Sequence, residues 1–346
     1  MMLVTADDST GATEAGAAFA DAGWTVDVVP VGAGSSPTES ASAADCTVID
    51  LRSRHVDVDE ARRRIVGATT DAHRVHKIDS TLRGNWAVEL SALADRGRRV
   101  VLVPSHPRVG RVCDGGVVYV NGVPVAQTDL ANDPRLPVLS SRPSESLPGA
   151  ELDGVDELGQ WLATSNSGVA IVDALTLVDI DRLVAIALGE TDVVLSGPAS
   201  IVEAVARICA PAGRSDVLPE PILPTPVVVV CASLHPMSRA QIAKVAEAGF
   251  DVVTSSDLRV EDSEQVAVEV AERAHQLIAT RQARSVILVG GDTAEAFLGD
   301  TVVRMFGSID IGVSLGEAIV RGTKLRVAGK PGGFGTPNTL LDLVMR

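Results

Sequence analysis

Hydrophobic positions along the chain fall into short β-branched runs separated by amphipathic, Ala-rich stretches. The first strand-like runs lie at residues 3–6, 25–31, 46–50, 75–79 and 100–104. Helical spacing of apolar positions marks the intervening residues 14–22, 58–72 and 86–96. Alternating strands and helices of this kind form mainly parallel sheets flanked by helices. The pattern therefore predicts an α/β fold.

Three irregular stretches divide this alternation. Asn121-Gly122 lies between two apolar runs and predicts a β-hairpin near residues 117–125. Residues 134–154 are rich in Pro and Ser and predict a long loop. Four prolines within eight residues predict a linker across residues 211–226, because proline fits neither a helix interior nor a central strand.

The alternation resumes between and after these stretches. Further strands are expected at residues 169–174, 193–195, 227–231, 251–254 and 285–289, with helices at 237–248 and 264–281. The linker separates two such series, so we predict two α/β domains, residues 1–218 and 219–346.

Composition narrows the function classes. The 346 residues include 46% hydrophobic but only 3% aromatic residues, which disfavours readers of single-stranded nucleic acid that stack bases on aromatic rings. A net charge of -15 disfavours nucleic acid and anionic membranes as partners. The four cysteines are widely spaced and predict neither a zinc site nor a disulfide framework. Without an apolar run near 18 residues or a signal-peptide pattern, a cytoplasmic location is expected.

The charge is unevenly distributed. Between Arg52 and Arg111, twelve Arg and one Lys accompany seven acidic residues, which indicates a site for a small anion in an otherwise acidic protein. Ordinary solvated helix faces account for many of these cations, and the triplet at 62–64 is best explained that way. A solvated face explains Lys77 and Arg83 less well.

Lys77 and Arg83 flank a run of polar residues at a predicted strand end. Open α/β sheets bind ligands there, and a following helix offers free amides to an anion. Ser80 and Thr81 could cap this helix and also present hydroxyls. Arg83 could hold a carboxylate through two parallel hydrogen bonds. Together with Asp79, these residues predict a substrate site.

Asp7 and Asp8 occupy the same position after the first strand. Adjacent carboxylates repel, so they are expected to face a hydroxylated substrate, a cation or a transferable proton. Helix capping by Asp8 or Ser9 is the structural alternative. An aspartyl nucleophile of the haloacid dehalogenase type needs Asp-x-Asp, whereas this run reads Asp-Asp-Ser.

Two glycine clusters lie in the second predicted domain, Gly290-Gly291-Asp292-Thr293 and Lys330-Pro331-Gly332-Gly333-Phe334-Gly335. Glycine lets the backbone approach a phosphate, and the helix start after the first cluster supplies amides. The P-loop and dinucleotide fingerprints are absent from the sequence. The two clusters nevertheless predict a nucleotide site.

In combination, these runs resemble the four-carbon acid sugar kinase family. The motifs that carry the resemblance follow the family's order: Ala6 to Ala12, Ser53-Arg54, Lys77 to Asn85, Pro104 to Pro107, Gly110-Arg111, Gly115 to Val125, Thr128, Asp133-Pro134, Ala232-Ser233-Leu234, Arg239-Ala240-Gln241 and the two glycine clusters. The resemblance implies an ATP-dependent kinase for threonate, erythronate or their oxo forms. It also implies that residues 1–218 hold the sugar acid and residues 219–346 hold ATP.

The resemblance further implies roles for individual residues. The expected substrate-binding residues are Asp8, Arg54, Lys77, Asp79, Ser80, Thr81 and Arg83. The expected nucleotide-binding residues are Ser233, Gly290, Gly291, Asp292, Thr293, Gly332 and Gly333. Asp8 or Asp7 would be the base that activates a terminal hydroxyl, while Mg²⁺ and cations spread the charge of the transferring phosphoryl group. No metal ligands are assigned.

Two other functions stay open. Relative to the family the chain is shorter between Gln241 and Ser285, which suits a non-catalytic sugar-acid-binding protein with a degenerate nucleotide domain. A hydrolase using Asp7 and Asp8 around a metal is the third hypothesis. The hairpin at 117–125 could pair with a second copy, so a homodimer is a further expectation.

Overall fold

The chain forms two series of parallel strands and helices joined by three long antiparallel strands. The computed structural model describes residues 1–32, 44–133, 135–212, 218–220, 222–256 and 263–346. Strands of the first half are β1 (Met2–Ala6), β2 (Val26–Pro30), β3 (Cys46–Asp50), β4 (His73–Lys77), β5 (Arg99–Leu102), β6 (Arg111–Asp114), β7 (Val117–Val120), β8 (Val123–Pro124), β9 (Ala150–Leu152), β10 (Gly168–Val172) and β11 (Val193–Gly197). Its helices are α1 (Ser9–Asp21), α2 (Val58–Ala68), α3 (Trp86–Asp95), α4 (Val155–Thr164), α5 (Leu177–Leu188) and α6 (Ala199–Ile208).

The second half contributes six further strands and four further helices within the described residues. The strands are β12 (Val227–Cys231), β13 (Asp251–Thr254), β14 (Ser285–Val289), β15 (Val303–Asp310), β16 (Val313–Val320) and β17 (Thr323–Lys330). The helices are α7 (Pro236–Glu247), α8 (Ser263–Arg281), α9 (Gly291–Leu298) and α10 (Thr339–Val344). Single turns of 3-10 helix lie at Pro107–Val109, Val125–Gln127, Asp129–Asn132 and Pro143–Glu145.

Fourteen strands form one sheet in the order β13-β12-β14-β17-β16-β15-β2-β3-β1-β4-β11-β5-β10-β9. From β2 to β9 all pairs are parallel, as are those from β13 to β17. β15, β16 and β17 pair antiparallel, and β15 joins the halves by pairing antiparallel with β2. The predicted α/β fold is confirmed, whereas the three antiparallel strands were not predicted.

Burial explains which strands occupy which place. All five residues of β12 are buried because helices cover both faces of the parallel sheet. In β15 buried and less buried residues alternate, the pattern of an antiparallel strand with one face on the core. That period-two pattern is readable in the sequence and could have predicted the strand.

Helix α1 packs against both halves of the sheet. At Gly16 a Cβ atom would come within 2.8 Å of side-chain atoms of both Val28 and Met305, so only glycine allows this close approach. The main hydrophobic core beneath α1 combines residues of both halves, such as Phe19 and Phe297. The halves are therefore joined by a shared core as well as by the β2–β15 pair.

Several predicted boundaries shift by a few residues. The strand predicted at 75–79 is β4, His73–Lys77, so Asp79 lies in the turn that follows it. The helix predicted at 58–72 ends at Ala68, where Thr69 turns to extended backbone. The loop predicted at 134–154 contains β9 and a 3-10 turn, with residue 134 outside the described residues. The predicted hairpin is confirmed as β7 and β8, to which β6 adds a third antiparallel strand.

The linker predicted at 211–226 is described only in part, because residues 213–217 and 221 lie outside the described residues. Residues 218–220 and 222–226 form neither helix nor strand. Leu223 is nevertheless buried in the core of the second half. Among the described residues, no helix has the length and apolar character that a membrane span requires.

Candidate active site

A cleft of about 870 Å³ lies between the two halves and collects residues from many strand ends. In the first half these residues follow β1, β3, β4, β5 and β11, and in the second half β12, β13, β14 and β17. Neighbouring strands rotate by about 20–25°. Three of the six strand-to-strand steps from β1 to β14 are antiparallel, so the carboxyl ends of the two halves would lie at opposite edges of a flat sheet. Twist accumulated over the six steps, about 120–150°, is large enough to turn both sets of ends toward one cleft.

Most of the predicted site residues line this cleft: Asp8, Arg54, Lys77, Asp79, Ser80, Arg83, Ser233, Gly290, Gly291, Asp292, Thr293, Gly332 and Gly333. Asp7 and Thr81 are buried and do not line it. Several other lining residues were not predicted as site residues, among them Glu14, His55, His106, Arg111, Asp133, Arg135 and His235. Arg111, His55 and His106 lie in the basic segment and could have been found there, and Arg135 directly follows the Asp133-Pro134 motif.

Arg54 resolves the repulsion between Asp7 and Asp8. Its Nε and Nη2 donate to the two Asp7 carboxylate oxygens at 2.8 Å each, and its Nη1 donates to Asp8 Oδ2 at 2.6 Å. Asp7 is completely buried, so its two hydrogen bonds with Arg54 fix the orientation of the guanidinium group. The adjacent carboxylates thus hold a cation that belongs to the protein itself.

Asp8 has two roles in the structure. Its Oδ1 accepts a hydrogen bond from Gly11 N at 2.8 Å and so caps α1, as the capping alternative predicted. Its Oδ2 faces Arg54 and the cleft. Burial, which outweighs the Arg54 charge, raises the pKa of Asp8 above its usual value. A raised pKa makes the ionised carboxylate a stronger proton acceptor.

Asp79 organises the turn after β4. It accepts hydrogen bonds from the Thr81 amide at 3.1 Å and the Thr81 hydroxyl, and from Arg83 Nε at 3.0 Å and Nη2 at 2.9 Å. Although burial alone would raise the pKa of Asp79, Arg54 and Arg83 hold it well below its usual range. Asp79 therefore remains ionised and fixes Arg83 at the cleft wall.

Ser80 and Thr81 do not cap a helix, the structural role that was open to them. Helix α3 begins at Trp86, and its cap residue Asn85 forms no side-chain capping bond. Thr81 instead bonds Asp79, while Ser80 is left at the cleft surface. The turn uses its hydroxyls and carboxylate to shape the site rather than to start the helix.

Lys77 and His106 add a cation and a neutral ring to the same wall. Lys77 is 5% exposed and lies 3.2 Å from Glu14 Oε2. Burial alone would lower the pKa of Lys77, but the negative charges of Glu14, Asp7 and Asp8 together outweigh it and raise that pKa. Burial lowers the pKa of His106 to about 4, so its imidazole is neutral at physiological pH. The first half thus presents fixed cations beside neutral donors and acceptors, which suits a hydroxylated anion.

The second half contributes the two glycine clusters and a serine turn. Gly290 has φ of 97°, a conformation that favours glycine, and α9 starts directly after it. Lys330 is buried and donates to the carbonyls of Pro331 and Gly332 at 2.8 and 2.9 Å, while Ser238 donates to Gly332 O at 2.6 Å. The Gly290 amide donates to the Lys330 carbonyl at 2.8 Å, and this bond holds the second cluster beside the first.

The first glycine cluster lies directly against Asp8. A Cβ atom on Gly291 would be 3.1 Å from Thr10 Oγ1 and 3.3 Å from Asp8 Oδ2. The start of α9, where free amides favour an anion, therefore lies beside the carboxylate at the start of α1, within the reach of one methyl group. The glycine turn of the second half and the Asp8 carboxylate of the first half are therefore neighbours.

Sequence comparisons agree with this division of the cleft. Residues 2–205 match the model of a sugar-binding N-terminal domain, and residues 251–340 match that of a nucleotide-binding C-terminal domain. The chain is 30% identical to a D-threonate kinase of Salmonella typhimurium over 324 residues, which cover 85% of this chain and 72% of the relative. The chain belongs to the four-carbon acid sugar kinase family.

Other members of the family act on related acids according to their names. A D-erythronate kinase of Heliobacterium modesticaldum is 27% identical over 318 residues, covering 81% of this chain and 70% of the relative. A 3-oxo-tetronate kinase of Methylobacterium radiotolerans is 34% identical over 147 residues, covering 38% and 34% of the two chains. These family members are kinases, and the present chain is accordingly assigned to the kinases. The predicted boundary after residue 218 lies between the two matched segments and stays a prediction.

Solved structures of the family show the same fold. A Haemophilus influenzae protein, 18% identical, superposes with a TM-score of 0.73 over 99% of both chains. A Bordetella bronchiseptica protein, 26% identical, superposes with a TM-score of 0.55 over 99% of this chain and 97% of that one, and was crystallised as a domain-swapped dimer with bound citrate.

Proposed function

We propose that this family member is an ATP-dependent kinase that phosphorylates a four-carbon sugar acid of the threonate, erythronate or oxo-tetronate type on its terminal hydroxyl. The short distance between Gly291 and Asp8 carries the proposal, because it places an anion-favouring helix start beside a carboxylate with a raised pKa. A phosphoryl donor in the second half and a hydroxyl in the first half would meet there.

The sugar acid is proposed to bind along the first wall of the cleft. Arg83 and Ser80 would hold its carboxylate, and Lys77 would add positive charge. Arg54 is already bonded to Asp7 and Asp8, so we assign it to orienting Asp8 and offering residual charge to the substrate. The terminal hydroxyl would then face Asp8.

The nucleotide is proposed to bind along the second wall. The amides of Gly291 and Asp292 would donate hydrogen bonds to phosphate oxygens. On the opposite side of the nucleotide, the lining residues would be Ser233, Gly332 and Gly333. Mg²⁺ in kinases is held by one or two carboxylates together with substrate phosphates, and Asp292, in the first turn of α9, would present such a carboxylate to the cleft. The ion would neutralise phosphate charge.

Transfer then follows from this arrangement. The terminal hydroxyl oxygen attacks the γ-phosphorus and forms a bond as the bond from that phosphorus to the β,γ-bridging oxygen breaks. Asp8 takes the hydroxyl proton, and ADP leaves with the bond's electron pair. Asp7 does not contact the cleft, so we assign it to holding Arg54 rather than to accepting the proton.

Coupled measurement of ADP release tests this function. The panel contains the D and L forms of threonate and erythronate and a 3-oxo-tetronate, each with ATP and Mg²⁺. We expect acid-dependent ADP release, and a rise of at least tenfold in the KM of the acid for Arg83→Ala, because a charged hydrogen bond contributes about 1.5–3 kcal/mol. Arg63→Ala is the control, since Arg63 forms an exposed pair with Glu60 on α2 away from the cleft.

Other outcomes would exclude this kinase activity. Tetronates that raise the melting temperature without any ADP release would instead support the non-catalytic binding protein. Phosphatase activity that needs a metal but no nucleotide would support the hydrolase.

We also propose that the protein forms a homodimer, as the Bordetella bronchiseptica relative does in its crystals. Light scattering after size-exclusion chromatography would test this, and a monomer mass across the micromolar range would contradict it.

A further inference from the structure

Arg135 forms an ion pair that crosses the cleft. Its Nη1 lies 3.0 Å from Asp292 Oδ2, and the two side chains are 44% and 50% exposed. The other cleft cations that form ion pairs in the described structure, Arg54, Lys77 and Arg83, pair with carboxylates of the first half. Arg135 therefore stands apart as the cleft cation that reaches the glycine turn of the second half.

The partner of Arg135 lies where a phosphate would be expected. Asp292 is the second residue of α9, directly after the turn formed by Gly290 and Gly291. A carboxylate at a helix start and a phosphate at a helix start satisfy the same free amides and the same dipole. A phosphoryl group in this turn would offer Arg135 more negative charge and more acceptor oxygens than Asp292 does.

The backbone of Arg135 is hydrogen-bonded to the wall of the cleft that is proposed to bind the sugar acid. Asp133 Oδ1 accepts hydrogen bonds from the Arg135 amide at 3.0 Å and the Leu136 amide at 2.9 Å. Asp133 Oδ2 lies 3.6 Å from Arg83 Nη1. Arg135 is thus held by the wall that is proposed to bind the acceptor while its guanidinium reaches the wall that is proposed to bind the donor.

We propose that Arg135 is a catalytic residue that exchanges Asp292 for oxygens of the transferring γ-phosphoryl group. The assignment rests on the proposed kinase function. In the transfer step the hydroxyl oxygen forms its bond to phosphorus, the bridging bond breaks, and the proton passes to Asp8. Throughout this step Arg135 keeps its charge and donates hydrogen bonds to the equatorial oxygens of the phosphoryl group. A guanidinium at this position stabilises charge that is spread over these oxygens in the transition state.

Steady-state kinetics of the full chain test the role, with ATP, Mg²⁺ and the panel acid that wild type turns over fastest. In Arg135→Ala we expect kcat to fall by about 10²- to 10³-fold, as when one preorganised donor is lost. The KM of the acid should change less than about threefold, and Arg135→Lys should retain an intermediate kcat, because charge without the planar fork restores part of the contact. ADP affinity measured by calorimetry should stay at the wild-type value.

Arg142→Ala is the matched control. Arg142 belongs to the same half and is 43% exposed, and its Nη1 lies 3.2 Å from Glu151 Oε2, outside the cleft. Its removal is expected to leave kcat unchanged. Similar melting temperatures of both alanine variants would establish that each is folded.

The outcomes separate the role of Arg135 from the kinase function itself. A wild type that turns over a panel acid, beside an Arg135→Ala variant with kcat within threefold of it, would overturn the role of Arg135 alone. An equal loss in Arg142→Ala, or a parallel loss of ADP affinity in Arg135→Ala, would also overturn it. No ADP release by wild type with any panel acid would overturn the proposed function and the role together.

Discussion

Replacing Asp8 with Asn separates the two roles of this residue. The amide oxygen can still accept the hydrogen bond from Gly11, and Asn caps helices as well as Asp does. Arg54 keeps both of its hydrogen bonds to Asp7. The substitution removes the proton acceptor and one charged hydrogen bond, and leaves the scaffold of the site in place.

The magnitudes follow from these contacts. Loss of a general base lowers kcat by about 10²- to 10⁴-fold, which is about 3–5 kcal/mol of barrier. Stability should change by less than about 1 kcal/mol, because loss of the Arg54 bond is offset by relief of the repulsion with Asp7. For a protein of this size such a change shifts the melting temperature by no more than about 4 °C.

The stability effect should depend on pH with a defined sign. Burial raises the pKa of Asp8 in the folded protein, so the ionised carboxylate is less favourable there than in the unfolded chain. Wild type loses stability from this group as pH rises from the ordinary Asp pKa through the raised one. The melting temperature of Asp8→Asn relative to wild type should therefore increase over that interval.

Coupled ADP release and thermal unfolding between pH 4 and 8 provide the two measurements. Asp57→Asn is the control, because Asp57 caps α2 through a comparable bond of 2.9 Å to the Glu60 amide but lies outside the cleft. A kcat of Asp8→Asn within tenfold of wild type would refute the assignment of the base. A loss of more than about 4 °C at neutral pH would refute the energetic reasoning.

Two further predictions concern the glycine turn and a buried histidine. Ala at Gly290, where φ is 97°, should cost about 1–3 kcal/mol of backbone strain and weaken ADP binding at least tenfold. Gly97→Ala, with φ of 78° outside the cleft, should lose stability and keep ADP affinity, and equal losses of affinity would contradict the role of the turn. Burial lowers the pKa of His73 to about 3. Below about pH 6.5 the His73 side chain therefore binds a proton in the unfolded chain but not in the folded protein. The unfolding free energy in urea should fall by up to about 1.4 kcal/mol per pH unit below that value, and His73→Gln should flatten the profile; parallel profiles would show that His73 is not responsible.

Much of the site was predictable because its residues follow strands in short motifs. Asp8, Lys77 and Gly290 were selected for this reason, and the cleft contains all three. The role of Asp7 was not predictable, since its partner Arg54 lies 47 residues further along the chain. The pairing of Arg135 was not predictable either, because its partner Asp292 is 157 residues away.

The sequence by itself determined the local structure: β-branched runs became buried strands, and Asp8 became a helix cap, since these outcomes depend on neighbours within a few residues. The tertiary structure alone decided that β15 pairs with β2, that residues after strands of both halves line one cleft, and that Gly291 lies beside Asp8. Strand order and twist are set by packing over the whole core, and contacts between residues hundreds of positions apart therefore have no counterpart in any local pattern.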